Sequence, residues 1–124
     1  MPRSQDLPEL IRTHLTSVWC LELLLLLRRE PDRGWTVRAL TQELRATDHL
    51  VATALAGLER SGLAAQDSTG AFRFAPASHL LAEFGDTVAR HYQERPVAII
   101  NLIVAPEDRI QQLADAFRFR SDRR

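Results

Sequence analysis

The stretch that decides the fold runs from Thr36 to Leu63 and reads TVRALTQELRATDHLVATALAGLERSGL. It contains two runs of apolar residues at helical spacing, separated by a polar turn at Ala46 and Thr47. Threonine is a favoured N-cap residue, and a threonine stands directly before each run. The sequence therefore predicts two short helices joined by a tight turn.

The first predicted helix covers about residues 37–45, and the second runs from Asp48 to about Ser61. Residues three and four apart share one face of a helix, so the apolar ones are expected to face the core. These are Ala39, Leu40 and Leu44 in the first helix, and Val51, Ala54, Leu55 and Leu58 in the second. Gly62 is predicted to end the second helix, because glycine readily adopts the left-handed conformation of a helix stop.

A β-hairpin is predicted directly after this glycine. Two short segments, 63–66 and 72–75, flank the sequence DSTG at 67–70. Asp, Ser and Gly are residues that favour tight turns, so the two segments are expected to pair as strands. Trp35, which precedes the first of the two helices, is predicted to be a short extended segment.

The N-terminal flank is predicted to be one helix from Leu7 to about Arg29. Its stretch 23–27 consists of five leucines and is apolar on every side. A helix of that kind belongs in the middle of a structure, covered on several faces. We therefore expect these leucines to be buried in the core or in a dimer.

The C-terminal flank is predicted to be helical as well. Ser78 is expected to cap a helix that extends to Tyr92. The apolar run 97–104 fits either a buried strand or a short buried helix, and Pro96 favours the helix because proline suits a first helical position. A last helix is predicted from Pro106 to about Phe117, with acidic residues at its start and arginines at its end.

The composition is that of a folded globular protein and excludes several classes. The 124 residues are 45% hydrophobic and 26% charged, and sixteen basic residues, all arginine, balance sixteen acidic ones. Zero net charge excludes a polycation that coats nucleic acid by charge alone. The single cysteine excludes a disulfide framework and a cysteine-rich metal site. No phosphate loop or nucleophile motif is present, so the sequence predicts no enzyme, no cofactor and no metal.

The sequence predicts a cytoplasmic protein that does not associate with a membrane. Residues 1–6 are polar and mixed in charge, unlike the start of a secretory signal. The leucine run at 23–27 is much shorter than the roughly 20 apolar residues of a membrane span.

The predicted order of elements resembles that of the bacterial winged helix-turn-helix transcriptional regulators, including the MarR-like group. The sequence shares with them a set of leucines and the terminal Leu-Glu-x-x-Gly-Leu sequence. The residues that carry the resemblance are Leu40, Leu44, Thr47, Val51, Leu55, Leu58, Glu59, Gly62 and Leu63. The resemblance covers about a third of the chain. It implies a mainly α fold with a small β-hairpin: a winged helix-turn-helix with additional C-terminal helices.

The predicted elements divide the chain into three parts. Residues 1–34 are expected to supply a helix that packs on the core or on a second copy, and residues 35–76 the winged helix-turn-helix. Residues 77–124 are expected to supply dimerising helices and a basic end. Because the apolar C-terminal residues exceed what one small core needs, we expect a homodimer.

By this resemblance the protein is a transcriptional regulator that binds double-stranded DNA, with its second helix in the major groove and its wing on phosphates. The residues implied to contact DNA are Arg38, Arg45, Thr47, His49, Thr53, Ser68, Thr69 and Arg73. The arginines would hold phosphates, and His49 and Thr53 would supply the base contacts.

An alternative function is a winged-helix protein-interaction module without specific DNA binding. The outward face of the second helix also carries Leu50, Ala52 and Ala56, which would contact a protein partner. Residues 35–76 hold four arginines and four acidic residues, whereas DNA affinity comes mainly from basic groups on phosphates. Both functions remain open at the level of the sequence.

Overall fold

The computed structural model describes residues 7–104, which form six helices and one antiparallel pair of strands. In chain order the elements are α1 (Leu7–His14), α2 (Val18–Arg29), α3 (Val37–Leu44), α4 (Asp48–Arg60), β1 (Ala64–Gln66), β2 (Phe72–Phe74), α5 (His79–Glu94) and α6 (Pro96–Ile103). The predicted mainly α fold with a small β-hairpin is confirmed at this level.

The prediction of one unbroken helix from Leu7 to Arg29 is wrong. The chain bends by 100° between α1 and α2. Ser17 is extended and caps α2, since its hydroxyl accepts a hydrogen bond from the Cys20 backbone N–H at 3.2 Å. The end of α1 is held from outside, where the Ser61 hydroxyl donates to the His14 carbonyl at 3.3 Å. Because of the bend, the apolar stripe of α1 and the apolar residues of α2 share one core.

The leucine-rich helix α2 lies at the centre of this core, as its all-round apolarity predicts. It packs against α4, α5 and β2. Its buried residues are Cys20, Leu21, Leu23, Leu24, Leu26 and Leu27, and Leu25 is half-buried. The leucines of α2 are therefore largely covered within one copy of the chain, and little of that helix is left for a dimer contact.

Helices α3 and α4 form as predicted, each capped by the threonine before it. The Thr36 hydroxyl accepts from the Ala39 N–H at 3.0 Å, and the Thr47 hydroxyl accepts from the Leu50 N–H at 3.2 Å. The predicted inward residues of α4 are buried, namely Val51, Ala54, Leu55 and Leu58. Threonine capping and helical spacing are local signals, which is why they place both helices correctly.

The hairpin pairs Ala64 with Phe74 and Gln66 with Phe72. Trp35 adds an extended residue to its other edge, exchanging two backbone hydrogen bonds of 2.7 Å with Phe72. Before the hairpin Gly62 has φ +78°, the left-handed conformation predicted for the helix stop. The hairpin is thus fixed to α4 on one side and to the start of α3 on the other.

Helices α5 and α6 follow the hairpin. Ser78 caps α5 as predicted, accepting from the Leu81 N–H at 3.2 Å. Residues 97–104 are helical through Ile103 rather than a strand, with Pro96 in the first turn of α6. The predicted last helix from Pro106 and the arginine-rich end lie outside the described residues.

None of the described helices alone combines the length and the apolarity of a membrane span. The pair α1 and α2 does so only when both are counted together across their bend.

Candidate nucleic-acid interface

The outward face of α4 is the central feature of the predicted interface. Its register is set by the buried stripe, so the residues between those positions point to solvent. His49, Ala52 and Thr53 are exposed, Leu50 is 39% exposed, and Ala56 is partly exposed. The structure thus places the predicted base-contacting and partner-contacting residues on one continuous helix face.

The N-terminus of α4 contributes a second property to this face. The first backbone N–H groups of a helix lack partners within it and favour negative charge. The Thr47 hydroxyl caps one of them, and Asp48 in the first turn adds a carboxylate beside the rest. Asp48 stabilises the helix dipole, and it also repels a phosphate group that approaches the same end.

Two arginines lie beside the turn that leads into α4. Arg38 on α3 and Arg45 in the turn are both exposed, and neither forms an ion pair with another residue in the range 7–104. Arg45 has φ +55°, a left-handed conformation that is uncommon for a residue with a side chain. Its conformation ends α3, and the next N–H, of Ala46, bonds to the Thr41 carbonyl at 3.0 Å.

The hairpin turn is organised around the Asp67 carboxylate. It accepts hydrogen bonds from the backbone N–H groups of Thr69 at 2.8 Å and Ala71 at 3.2 Å, and from the Thr69 hydroxyl. The Arg73 guanidinium donates to the same carboxylate at 2.8 Å and to the Asp32 carbonyl at 3.0 Å. These hydrogen bonds lower the pKa of Asp67 well below its ordinary value. The bond from the Thr69 hydroxyl has the largest effect, and the bond from Arg73 has the next largest.

This network changes the roles expected for the predicted wing residues. Ser68 lies exposed at the tip and free to contact a phosphate. Thr69 and Arg73 instead direct their polar groups to Asp67. The sequence prediction missed the ion pair between Asp67 and Arg73 because these residues are six positions apart, on either side of a turn. Only the folded hairpin fixes the geometry of that turn.

A groove that sequence reasoning did not identify lies between α2, the end of α3 and α5. It is open to solvent and has a volume of about 880 Å³. Its lining combines apolar side chains with charged ones: Glu22, Leu25, Leu26, Arg28, Arg29, Glu43, Leu44, Asp86, Ala89, Arg90, Tyr92 and Gln93. Residues from three separate elements form it, and no local pattern in the sequence marks them.

Within the groove Tyr92 donates a hydrogen bond to Glu22 at 3.5 Å. Two causes raise the pKa of Tyr92: burial has the larger effect, and the negative charge of the nearby Glu22 carboxylate has the smaller one. The Arg28 guanidinium forms an ion pair with Asp86 at 2.8 Å across the same groove. The other charged groups of the wall, on Arg29, Glu43 and Arg90, form no ion pair with another residue in the range 7–104.

Two further reactive groups in the described part of the chain, the Cys20 thiol and the His14 imidazole, pack against neighbouring elements. Cys20 is buried and donates to the Ala54 carbonyl at 3.7 Å. His14 lies against the Phe84 ring with centroids 5.5 Å apart, and burial lowers its pKa. Within residues 7–104 no three His, Cys, Asp or Glu side chains lie together in a way that could hold a metal ion.

Comparisons of this chain with protein-family models, with curated proteins and with solved structures found no match.

Proposed function

We propose that the chain is a DNA-binding transcriptional regulator in which α3, α4 and the β1–β2 hairpin act as a winged helix-turn-helix. The observation that carries this proposal is the exposed N-terminal half of α4, flanked by Arg38 and Arg45 without ion-pair partners in the described chain. A helix presented in this way, with basic groups beside it, suits the major groove and its bordering phosphates.

In this mechanism the outward side chains of α4 enter the major groove. His49 and Thr53 donate to or accept from base edges, and the Leu50 side chain can contact a thymine methyl group. Arg38 and Arg45 contact phosphates, and Thr47 can donate its hydroxyl proton to one, against the repulsion from Asp48 in the first turn of α4. These contacts set the orientation of α4, whereas the base contacts set the preferred sequence.

The hairpin takes the part of the wing. Ser68 at its tip contacts a phosphate, and Thr69 can do so through its backbone, because its hydroxyl is bonded to Asp67. We assign Arg73 to shaping the turn, since a phosphate contact requires it to leave the Asp67 carboxylate 2.8 Å away. This assignment departs from the sequence prediction, which gave Arg73 a direct DNA contact.

We also propose that two copies act together. A single winged module makes a small DNA interface, and two-fold pairing doubles it over two half-sites. Because α2 is largely covered within one copy, we place the contact between copies in the C-terminal part of the chain.

A protein-interaction module is the second candidate function. The specific observation that favours it is Leu50, which is 39% exposed beside Ala52 and Ala56 on the same face of α4. A leucine among small residues suits the apolar centre of a protein interface. In that function the same face of α4 contacts a protein instead of a base edge.

The test of the proposed function is selection of bound duplexes from a random-sequence library at low salt. Enrichment of one sequence motif supports the regulator if His49→Ala or Thr53→Ala weakens the binding free energy for that motif. The expected loss is roughly 1–3 kcal/mol per base contact. Arg12→Ala, on α1 and outside the proposed interface, is the control and is expected to leave the motif unchanged. Absence of any duplex binding, with a purified complex that Leu50→Glu disrupts, favours the interaction module instead.

A further inference from the structure

The groove between α2, α3 and α5 follows one side of α2. Val18, Glu22, Leu25 and Arg29 stand four, three and four residues apart, so they share one face of that helix. Each of the four is half-buried or exposed, whereas the core-facing leucines of α2 are buried. At the rise of an α-helix this face is about 16 Å long. It therefore offers an elongated surface.

Two polar contacts fix α5 against α2 and leave a gap between them. Tyr92 meets Glu22 and, six residues further along α2, Asp86 meets Arg28, so the two helices run antiparallel there. Midway between these contacts stands Ala89, three residues from each of its neighbours on α5. The space of the groove therefore depends on a small side chain held between two fixed contacts.

The chemistry of the groove changes along its length. At the start of α2 it adjoins a second hollow of about 410 Å³, which is lined by Val18, Trp19, Glu22 and Leu44. Beyond this hollow the walls carry Arg29 on α2 and Arg90 on α5, both exposed. The groove thus combines an apolar end that contains an aromatic ring with a basic stretch.

The charged groups without a partner set the charge of a suitable ligand. One arginine of the wall forms an ion pair with Asp86, and one carboxylate accepts a hydrogen bond from Tyr92. This leaves Arg29 and Arg90 against Glu43, none of which forms an ion pair within residues 7–104. Guanidinium groups bind carboxylates through charge-assisted hydrogen bonds. The surplus of one positive group favours a ligand with a single negative charge.

We propose that this groove binds a small organic carboxylate with an elongated apolar body. The carboxylate contacts Arg29 and Arg90, and the apolar body lies along Leu25 toward Trp19. The groove volume of about 880 Å³ falls within the roughly 300–1,000 Å³ of small-molecule sites in proteins. The groove shares no lining residue with the outward face of α4, so the proposal does not depend on DNA binding.

The experiment is a titration of the full-length chain with the dye anilinonaphthalene sulfonate, followed by displacement of the dye. This dye is an organic anion that binds apolar surfaces. Octanoate should displace it, whereas the neutral analogue octanol should need a concentration about fivefold higher, as expected for the loss of one ion pair near the surface. Acetate carries the charge without the apolar body and should not displace the dye.

Two arginine variants test the basic stretch. Arg29→Ala and Arg90→Ala should each raise the dissociation constant of octanoate by about threefold to fivefold and leave that of octanol unchanged. The matched control is Arg60→Ala, since Arg60 is an exposed helical arginine outside the groove and forms no ion pair within residues 7–104. It should leave both constants unchanged.

A third variant closes the gap between α2 and α5. Ala89→Phe should weaken octanoate and octanol alike by about tenfold or more, because its ring fills the space beside Leu25. Its thermal midpoint is measured in parallel, and the two arginine variants give the answer if this variant does not fold. Absence of dye displacement by octanoate, equal potency of octanol and octanoate, or unchanged octanoate affinity in both arginine variants would each overturn the proposal.

Discussion

Leu50, Leu55 and Leu58 show how the face of α4 decides what each leucine does. Leu55 and Leu58 are fully buried in the core, whereas Leu50 is 39% exposed. Replacement of a buried leucine by alanine removes transfer free energy and leaves a cavity, so Leu55→Ala and Leu58→Ala should each cost roughly 2–5 kcal/mol of unfolding free energy. Leu50→Ala should cost less than about 0.5 kcal/mol. Urea unfolding of the three variants measures this, and a comparable loss for Leu50→Ala would mean that α4 has another register.

Two glycines near the C-terminal end of α4, Gly57 within the helix and Gly62 just after it, should respond in opposite ways to alanine. Gly57 has a helical conformation. A Cβ atom added there would lie 3.5 Å from the Cys20 Sγ, which is an ordinary van der Waals contact. Gly57→Ala should therefore raise the unfolding free energy by about 0.4–1 kcal/mol through lower backbone entropy of the unfolded chain.

Gly62→Ala is the contrasting variant. Its φ of +78° disfavours any residue with a Cβ, and the new atom would lie 3.2 Å from side-chain atoms of Ala77 and Leu81. We expect a loss of roughly 1–2 kcal/mol. Thermal unfolding of both variants is the measurement, and the prediction is wrong if the two shifts have the same sign.

Much of this residue-level detail was predictable from the sequence because its causes are local. Thr36, Thr47 and Ser78 are hydrogen-bond acceptors placed immediately before apolar periodic runs, and each caps the helix that follows. The Asp67–Arg73 pair was not predictable, since it depends on how the turn folds back on β2.

At the scale of elements, the break between α1 and α2 is the clearest failure of sequence reasoning. The apolar pattern continues across Thr16 and Ser17, so periodicity alone predicts one helix. The structure ends this pattern at Ser17, which caps α2, and the 100° bend there lets Ile11 and Leu24 be buried in the same core. The ambiguity over residues 97–104 has a similar origin, because a short apolar run fits either a buried helix or a buried strand.

The hairpin turn gives a pH prediction at the element scale. The pKa of Asp67 in the folded protein lies below its ordinary value of 3.8, so its charged form stabilises the fold. This contribution is fully present above the ordinary value and is lost as the pH falls through the folded value.

Asp67→Asn removes the charge while keeping the shape of the side chain. The difference in unfolding free energy between the natural chain and this variant should be constant from neutral pH down to about pH 5 and should shrink below about pH 4. Urea unfolding at a series of pH values measures it. A difference that stays constant to the lowest pH would show that the Asp67 charge does not stabilise the hairpin.

At the scale of the whole molecule, charge balance is the property that most constrains function. Positive and negative groups are equal in number over the chain and over residues 35–76. The proposed DNA binding must then depend on where charges lie and not on their sum, which gives weight to Arg38 and Arg45. The groove between α2, α3 and α5 was beyond prediction for a related reason, since it exists only after three distant elements meet.

The assembly of two copies is the other prediction at this scale. One chain has a mass of 14.1 kDa, so light scattering at micromolar concentration should give twice that value. The physical reason is that the C-terminal part of the sequence has more apolar residues than one small core needs, and a contact between two copies would bury them. A mass equal to that of one chain would rule out the paired arrangement on DNA.

The central claim is that the surface around the start of α4 binds the DNA backbone, and the salt dependence of affinity tests it most directly. Fluorescence anisotropy with a labelled duplex, over a series of salt concentrations, gives the slope of log affinity against log salt. Arg38→Ala and Arg45→Gly should each flatten this slope by about one unit, the change expected for one lost phosphate contact. Glycine is chosen for Arg45 because it suits φ +55° without strain. Arg12→Ala should leave the slope unchanged. If the natural chain binds duplex DNA with no salt dependence, or if both α3–α4 variants keep the full slope, the account is contradicted.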